Sequence, residues 1–193
     1  MVTDYGKPKQ ISIVDLSDMK IINGNIRKRI KDLEIQLNIF HDEIDWWFDL
    51  LKNTAYPKSI GLRKPIVIEL YEFIYYMRAV TKQIKIAVRI INKIYEGANH
   101  KPQMEPLESA IAQTFTKWDN ELKLYRNTVA AHRFTTKDGK FLKLSDVMKL
   151  FGKISDENLT QAKNELFDCH DKIKSWLANP ANRDLMVLVS KMK

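Results

Sequence analysis

Apolar residues return every three or four positions in four separate stretches of the chain, the spacing that lines one face of an α-helix. The first stretch runs Ile26, Ile30, Leu33, Leu37, Phe40, Ile44, Trp47 and Leu51. The third runs Leu107, Ile111, Phe115, Trp118, Leu122, Tyr125 and Val129, and the fourth Leu159, Ala162, Leu166, Cys169, Ile173 and Trp176. Between them, residues 65–96 are apolar over most of a helical circumference. Pro65 suits a first turn and Gly97 a stop, and such a helix belongs at the centre of a bundle or at an oligomer interface. Asn23-Gly24-Asn25 before the first helix, Pro57 and Gly61 after it, and Pro102 and Pro106 before the third predict its boundaries. Ser155 with Asp156 predicts the cap of the fourth. The turn-forming Lys137-Asp138-Gly139-Lys140, flanked by Phe134-Thr135-Thr136 and Phe141-Leu142-Lys143-Leu144, predicts a small β-hairpin. A short helix over 145–151 follows. The expectation is a single all-α domain over 1–193: an up-and-down bundle of four main helices with a hairpin-like insertion after the third, an N-terminal arm (1–22) and a short terminal helix (180–193).

Length and composition narrow the function classes. A chain of 193 residues with 45 % apolar and 29 % charged residues builds one soluble core. Its start is polar and no apolar run approaches membrane-spanning length, so a cytoplasmic protein with no membrane partner is expected. Cys169 stands alone, which excludes a disulfide framework or thiolate zinc site within one chain. Net charge of +8 favours anionic partners. It is concentrated: residues 56–104 hold nine Lys or Arg against three Glu, and residues 133–153 hold six against two Asp. Within the second helix Arg78, Lys82, Lys85, Arg89 and Lys93 form one line at steps of 4, 3, 4 and 4. That row either tracks a phosphate backbone or is the solvated face of a buried helix.

Candidate chemistry lies at the end of the third helix, where residues 125–133 read Tyr-Arg-Asn-Thr-Val-Ala-Ala-His-Arg. Cleaving RNA without a metal needs proton transfer at the ribose 2′-hydroxyl and the leaving 5′-oxygen, and a cation on the phosphate. His132 suits the first role and Arg126 the second, while Asn127 can orient a ribose or phosphate oxygen. Arg126-Asn127, four residues, then His132 resembles the signature of the HEPN superfamily: Arg, a polar residue, a short spacer and His on a helix. The resemblance implies a helical domain and, in many members, a metal-independent endoribonuclease of toxin or phage-defence type, with no cofactor. It implies Arg126, Asn127 and His132 as catalytic residues in a cleft between two protomers. Arg133 and the stripe residues Arg78, Lys82, Lys85 and Arg89 are the substrate-binding candidates, with RNA, a second copy of the chain and an antitoxin protein as partners. Geometry agrees with a composite site. Six helical residues separate Arg126 and His132 by roughly 9 Å along the axis and about 120° around it, so one phosphate is hard to reach from both unless the last turn unwinds, and a two-fold dimer removes the difficulty.

The same residues admit a structural reading. His132 continues the seam from Val129 and suits a core position, and Arg126 can serve an ion pair with Glu121 or another acid. Some HEPN-like domains bind RNA or protein without cleaving, so a non-catalytic helical module is the competing function. Elsewhere, His41 and Asp45 share a helix face beside Asp42 and Glu43 but lack a third ligand cluster, giving no metal site. Cys169 and His170 point about 100° apart, a poor nucleophile-base pair. His100 has no defining neighbours. Trp46, Trp47, Trp118 and Trp176 can stack bases where exposed, but Trp47, Trp118 and Trp176 fall on seams and read as packing.

Overall fold

A computed structural model of the chain describes residues 13–55, 59–94, 104–126, 154–179 and 182. They form four helices: α1 (Ile13–Lys52), α2 (Ser59–Ile94), α3 (Glu105–Tyr125) and α4 (Asp156–Ala178). The expected hairpin, the short helix over 145–151, the terminal helix and the 1–12 part of the arm lie outside the described residues.

Two helix starts differ from the pattern-based boundaries. α1 passes straight through Asn23-Gly24-Asn25, because glycine and asparagine disfavour a helix by only about 0.5–1 kcal/mol each and, unlike proline, remove no backbone donor. α2 begins at Ser59, which leaves Pro65 inside the helix. Proline has no N–H for the carbonyl of Gly61, four residues back, and its ring crowds that position. A Cβ on Gly61 would meet nothing within 4 Å, so this side of the turn is open. The extra turn is held from outside: Arg63 Nε donates to Asp156 Oδ1 at 2.9 Å and Nη1 to the carbonyl of Ile154 at 2.8 Å. α4 starts as its cap predicts, with the Ser155 hydroxyl accepting from the backbone N–H of Asn158 at 3.0 Å. α3 has no side-chain cap but carries Pro106 and two acids, Glu105 and Glu108, in its first turn, which suit the helix dipole.

Successive helices run in opposite directions. Phe40 of α1 packs on Tyr76 of α2 (ring centroids 4.9 Å). Along α2, Arg78 pairs with Asp119 and Lys85 with the earlier Glu108 of α3. Trp118 of α3 donates to Glu165 of α4 at 2.7 Å, and Lys163 of α4 pairs with Asp45 of α1. The result is an up-and-down four-helix bundle. α2 also touches its diagonal neighbour α4, through Phe73 and His170 (5.4 Å), so it is the central helix, and this accounts for its near-continuous apolar surface. Its Leu70, Phe73, Ile74, Met77, Val80 and Ile84 are sealed from solvent. The seams of the other three helices point inward at Ile30, Leu37, Ile44, Leu51, Leu107, Ile111, Phe115, Trp118, Leu122, Leu159, Leu166, Cys169 and Ile173. Burying each such aliphatic or aromatic side chain contributes roughly 1.5–3 kcal/mol before chain entropy is charged against it.

α1 also carries apolar residues on the side away from the core. Ile35, Ile39, Trp46 and Leu50, at steps of 4, 7 and 4, share one exposed stripe, with Trp46 58 % accessible. No described helix of the bundle covers it.

Candidate active site

Arg126 closes α3. No glycine or proline interrupts the preceding turns, and its backbone N–H reaches the carbonyls of Leu122 and Lys123. Antiparallel packing brings this end of α3 beside the first half of α2. There Arg126 Nη2 donates to Glu72 Oε1 at 3.1 Å, and the guanidinium carbon lies 4.8 Å from the centre of the Tyr71 ring. Both side chains of the ion pair are about one-third exposed. The expected structural partner, an acid, is therefore present, but it comes from α2 and is not Glu121.

Glu72 itself belongs to an acidic stretch of α2. One turn before Glu72, Glu69 has its carboxyl pKa raised, chiefly by burial and then by repulsion from Glu43 and Glu72. Its Oε2 is buried with no hydrogen-bond partner among the described residues. Tyr125, preceding Arg126, has its phenol raised by burial and by Glu121. Asn127, His132 and Arg133 lie outside the described residues, so the relation of Arg126 to His132 is not part of this geometry.

The basic stripe divides into two sets. Arg78 reaches Asp119 at 3.1 Å and the Phe115 carbonyl at 3.4 Å, and Lys85 reaches Glu108 at 2.6 Å, so both serve the α2–α3 seam. Lys82 and Arg89 are exposed. Among the four members whose side chains are described, acids of α3 thus pair with Arg78 and Lys85, and Lys93 lies outside that set.

His41 stacks on Phe167 (3.9 Å), and Asp45, its i+4 neighbour, is paired with Lys163. Among the described residues no group of three or more His, Cys, Asp or Glu side chains is arranged to hold a metal ion. Cys169 is fully buried and its thiol pKa is raised, mainly by that burial. His170 is the residue the sequence reading undervalued: it is 1 % exposed, packed against Phe73 (5.4 Å) and His41 (5.6 Å). Neither ring nitrogen has a hydrogen-bond partner among the described residues. Its pKa is lowered to about 4 by burial, then by the charges of Lys174 and His41, against a small opposing effect of Asp171. The signal was available, since His170 follows Leu166 by four residues and precedes Ile173 by three, placing it on the α4 seam. Trp46 is exposed and edge-on to Trp47 (4.7 Å).

No helix among the described residues is long and apolar enough to cross a membrane. Compared with models of protein families, with curated proteins and with solved structures, the chain matches none.

Proposed function

We propose that the protein is a metal-independent endoribonuclease of HEPN type, cleaving RNA by attack of a ribose 2′-hydroxyl at a site shared between two copies of the chain, in the manner of a toxin or phage-defence effector. The observation that carries this reading is the Arg126-Asn127-x4-His132 motif of the sequence, whose Arg126 stands at the end of the third helix of a four-helix bundle. Arg126 supplies the cation for the phosphate, His132 moves the proton and Asn127 orients the substrate. One-third exposure leaves Arg126 accessible to a ligand, and the exposed Lys82 and Arg89 add positive charge along α2. The partners of this reading are RNA, a second copy of the chain and an antitoxin protein, and the setting is the cytoplasm.

Purified protein incubated with mixed RNA in excess EDTA provides the test. Cleavage that His132→Ala and Arg126→Ala each reduce by about 100-fold or more, the usual range for a general acid-base group, supports it. Intact RNA from the wild-type protein, or undiminished cleavage by His132→Ala, refutes it.

The second reading is a non-catalytic helical module that binds RNA or protein. It is favoured by one observation: the Glu72 pair gives Arg126 a structural partner inside the bundle. It predicts RNA binding that weakens on charge reversal of Lys82 and Arg89 and is indifferent to His132→Ala.

A further inference from the structure

The pairing of Arg126 has a consequence for how the site takes up its ligand. A guanidinium presents five N–H donors in a fixed fork, and among the described residues one Nη2 donor is engaged, by Glu72 Oε1 at 3.1 Å. Tyr71, the adjacent residue on α2, lies against the guanidinium at 4.8 Å, which limits its tilt. Among the described residues Arg126 is therefore tethered at one corner by Glu72 and backed on one side by Tyr71, and no other described side chain engages its remaining donors. Its positive charge is offset by a carboxylate in direct contact.

We propose that Glu72 is a built-in competitor for the phosphodiester at Arg126: it holds the guanidinium against Tyr71 and neutralises it, so that an anion binds only by outcompeting the carboxylate. This inference rests on the reading that Arg126 takes a phosphate, and it adds the group that sets the affinity. Glu72 is a positioning residue, acting through Arg126. The two anions compete because both are planar or tetrahedral oxyanions seeking the same forked donors. Such a brake keeps a basic protein from binding every RNA it encounters through this arginine; only a substrate that also engages other contacts, such as Lys82 and Arg89, displaces the carboxylate.

A double-mutant cycle on the full chain tests this, with a fluorescent oligonucleotide whose 2′-deoxy sugars block 2′-hydroxyl attack, read by anisotropy at fixed low salt. Glu72→Gln keeps the shape and an oxygen acceptor for Arg126 while removing the charge. Wild-type protein, Glu72→Gln, Arg126→Ala and the double variant are compared, with thermal melts confirming the fold. Glu72→Gln is expected to tighten binding roughly three- to tenfold, the size expected for releasing a partly exposed charged partner, and to tighten it by nothing when Arg126 is alanine. An unchanged affinity in Glu72→Gln overturns the proposal. So does an equal gain in both backgrounds, which would mark a general increase in positive charge. Absence of binding by both the wild type and Glu72→Gln overturns it as well. Cleavage of all-ribose RNA in EDTA is measured in parallel: a cycle that behaves as expected beside intact RNA refutes the nuclease reading and leaves the Glu72 competition standing.

Discussion

Replacing His170 with leucine tests the physical account of the core most sharply. In the folded chain the ring is sealed between Phe73 and His41 and its pKa is lowered to about 4. In the unfolded chain it titrates near the ordinary value of about 6.5. Because the unfolded state binds the proton first, stability contributed by the neutral ring is complete above about pH 6.5 and is lost as pH falls from there toward about 4. Between pH 7.5 and pH 5 the loss from this one group is about 2 kcal/mol, obtained from the difference in proton binding of the two states. Glu69 works in the opposite direction, since its raised pKa favours the protonated, folded form as acid is added, but it is present in both proteins and cancels in the comparison. Leucine has similar bulk, no charge to desolvate and no unsatisfied ring nitrogens, so His170→Leu should be at least as stable as wild type at pH 7.5. Urea unfolding followed by far-ultraviolet circular dichroism at pH 7.5, 6 and 5, at constant ionic strength, gives both profiles. The variant's profile should be flatter by about 2 kcal/mol over that range. Parallel profiles would mean that the ring is hydrogen-bonded or hydrated in solution and that the reasoning is wrong.

Other expectations follow from specific contacts. Glu165 accepts from Trp118 Nε1 at 2.7 Å and from Lys117 at 3.0 Å. Burial pushes its carboxyl pKa up, but these hydrogen bonds, with one from Gln161, bring it below the usual value. Glu165→Leu strands the indole N–H of the buried Trp118 and should cost about 1–3 kcal/mol in urea unfolding at neutral pH. Phe73→Ala, at the meeting point of α2 and α4, should cost about 3–5 kcal/mol in the same assay because the rigid bundle refills the cavity only partly. Reversing Lys82 and Arg89 to Glu should leave the melting temperature nearly unchanged. It should also reduce the slope of log affinity for single-stranded RNA against log salt by roughly 0.7 per cation in a fluorescence titration. Reversing Arg78 or Lys85 instead should lower stability measurably, by up to about 1 kcal/mol each, because these cations are paired across the α2–α3 seam.

Sequence by itself determined that there are four main helices and which face of α1, α3 and α4 turns inward, though not where α1 and α2 begin. Most described positions at 3,4 spacing on α1, α3 and α4 are buried, from Leu37 and Ile44 through Phe115 and Trp118 to Leu166 and Ile173, and Leu33, Phe40, Trp47, Tyr125 and Trp176 are partly so, because amphipathic periodicity is a local property and needs no knowledge of the partner helix. The apolar circumference of the second helix left two places for it, the centre of the bundle or an oligomer interface, and packing against α4 as well as α1 and α3 puts it at the centre. What lies across a seam was not legible. Nothing in the chain order says that Arg126 meets Glu72, that Asp119 and Glu108 neutralise Arg78 and Lys85, or that Arg63 reaches Asp156 and Ile154 to hold an extra turn ahead of Pro65. Those pairings join residues 23 to 93 positions apart and exist only once the direction and register of neighbouring helices are set. The same holds for His170, whose seam position was readable but whose lack of any hydrogen-bond partner was not. Tertiary packing decided which charges are paired across the seams of the bundle and which stay exposed, because an ion pair depends on distance in space, and helical spacing reports only the direction a side chain leaves its own helix.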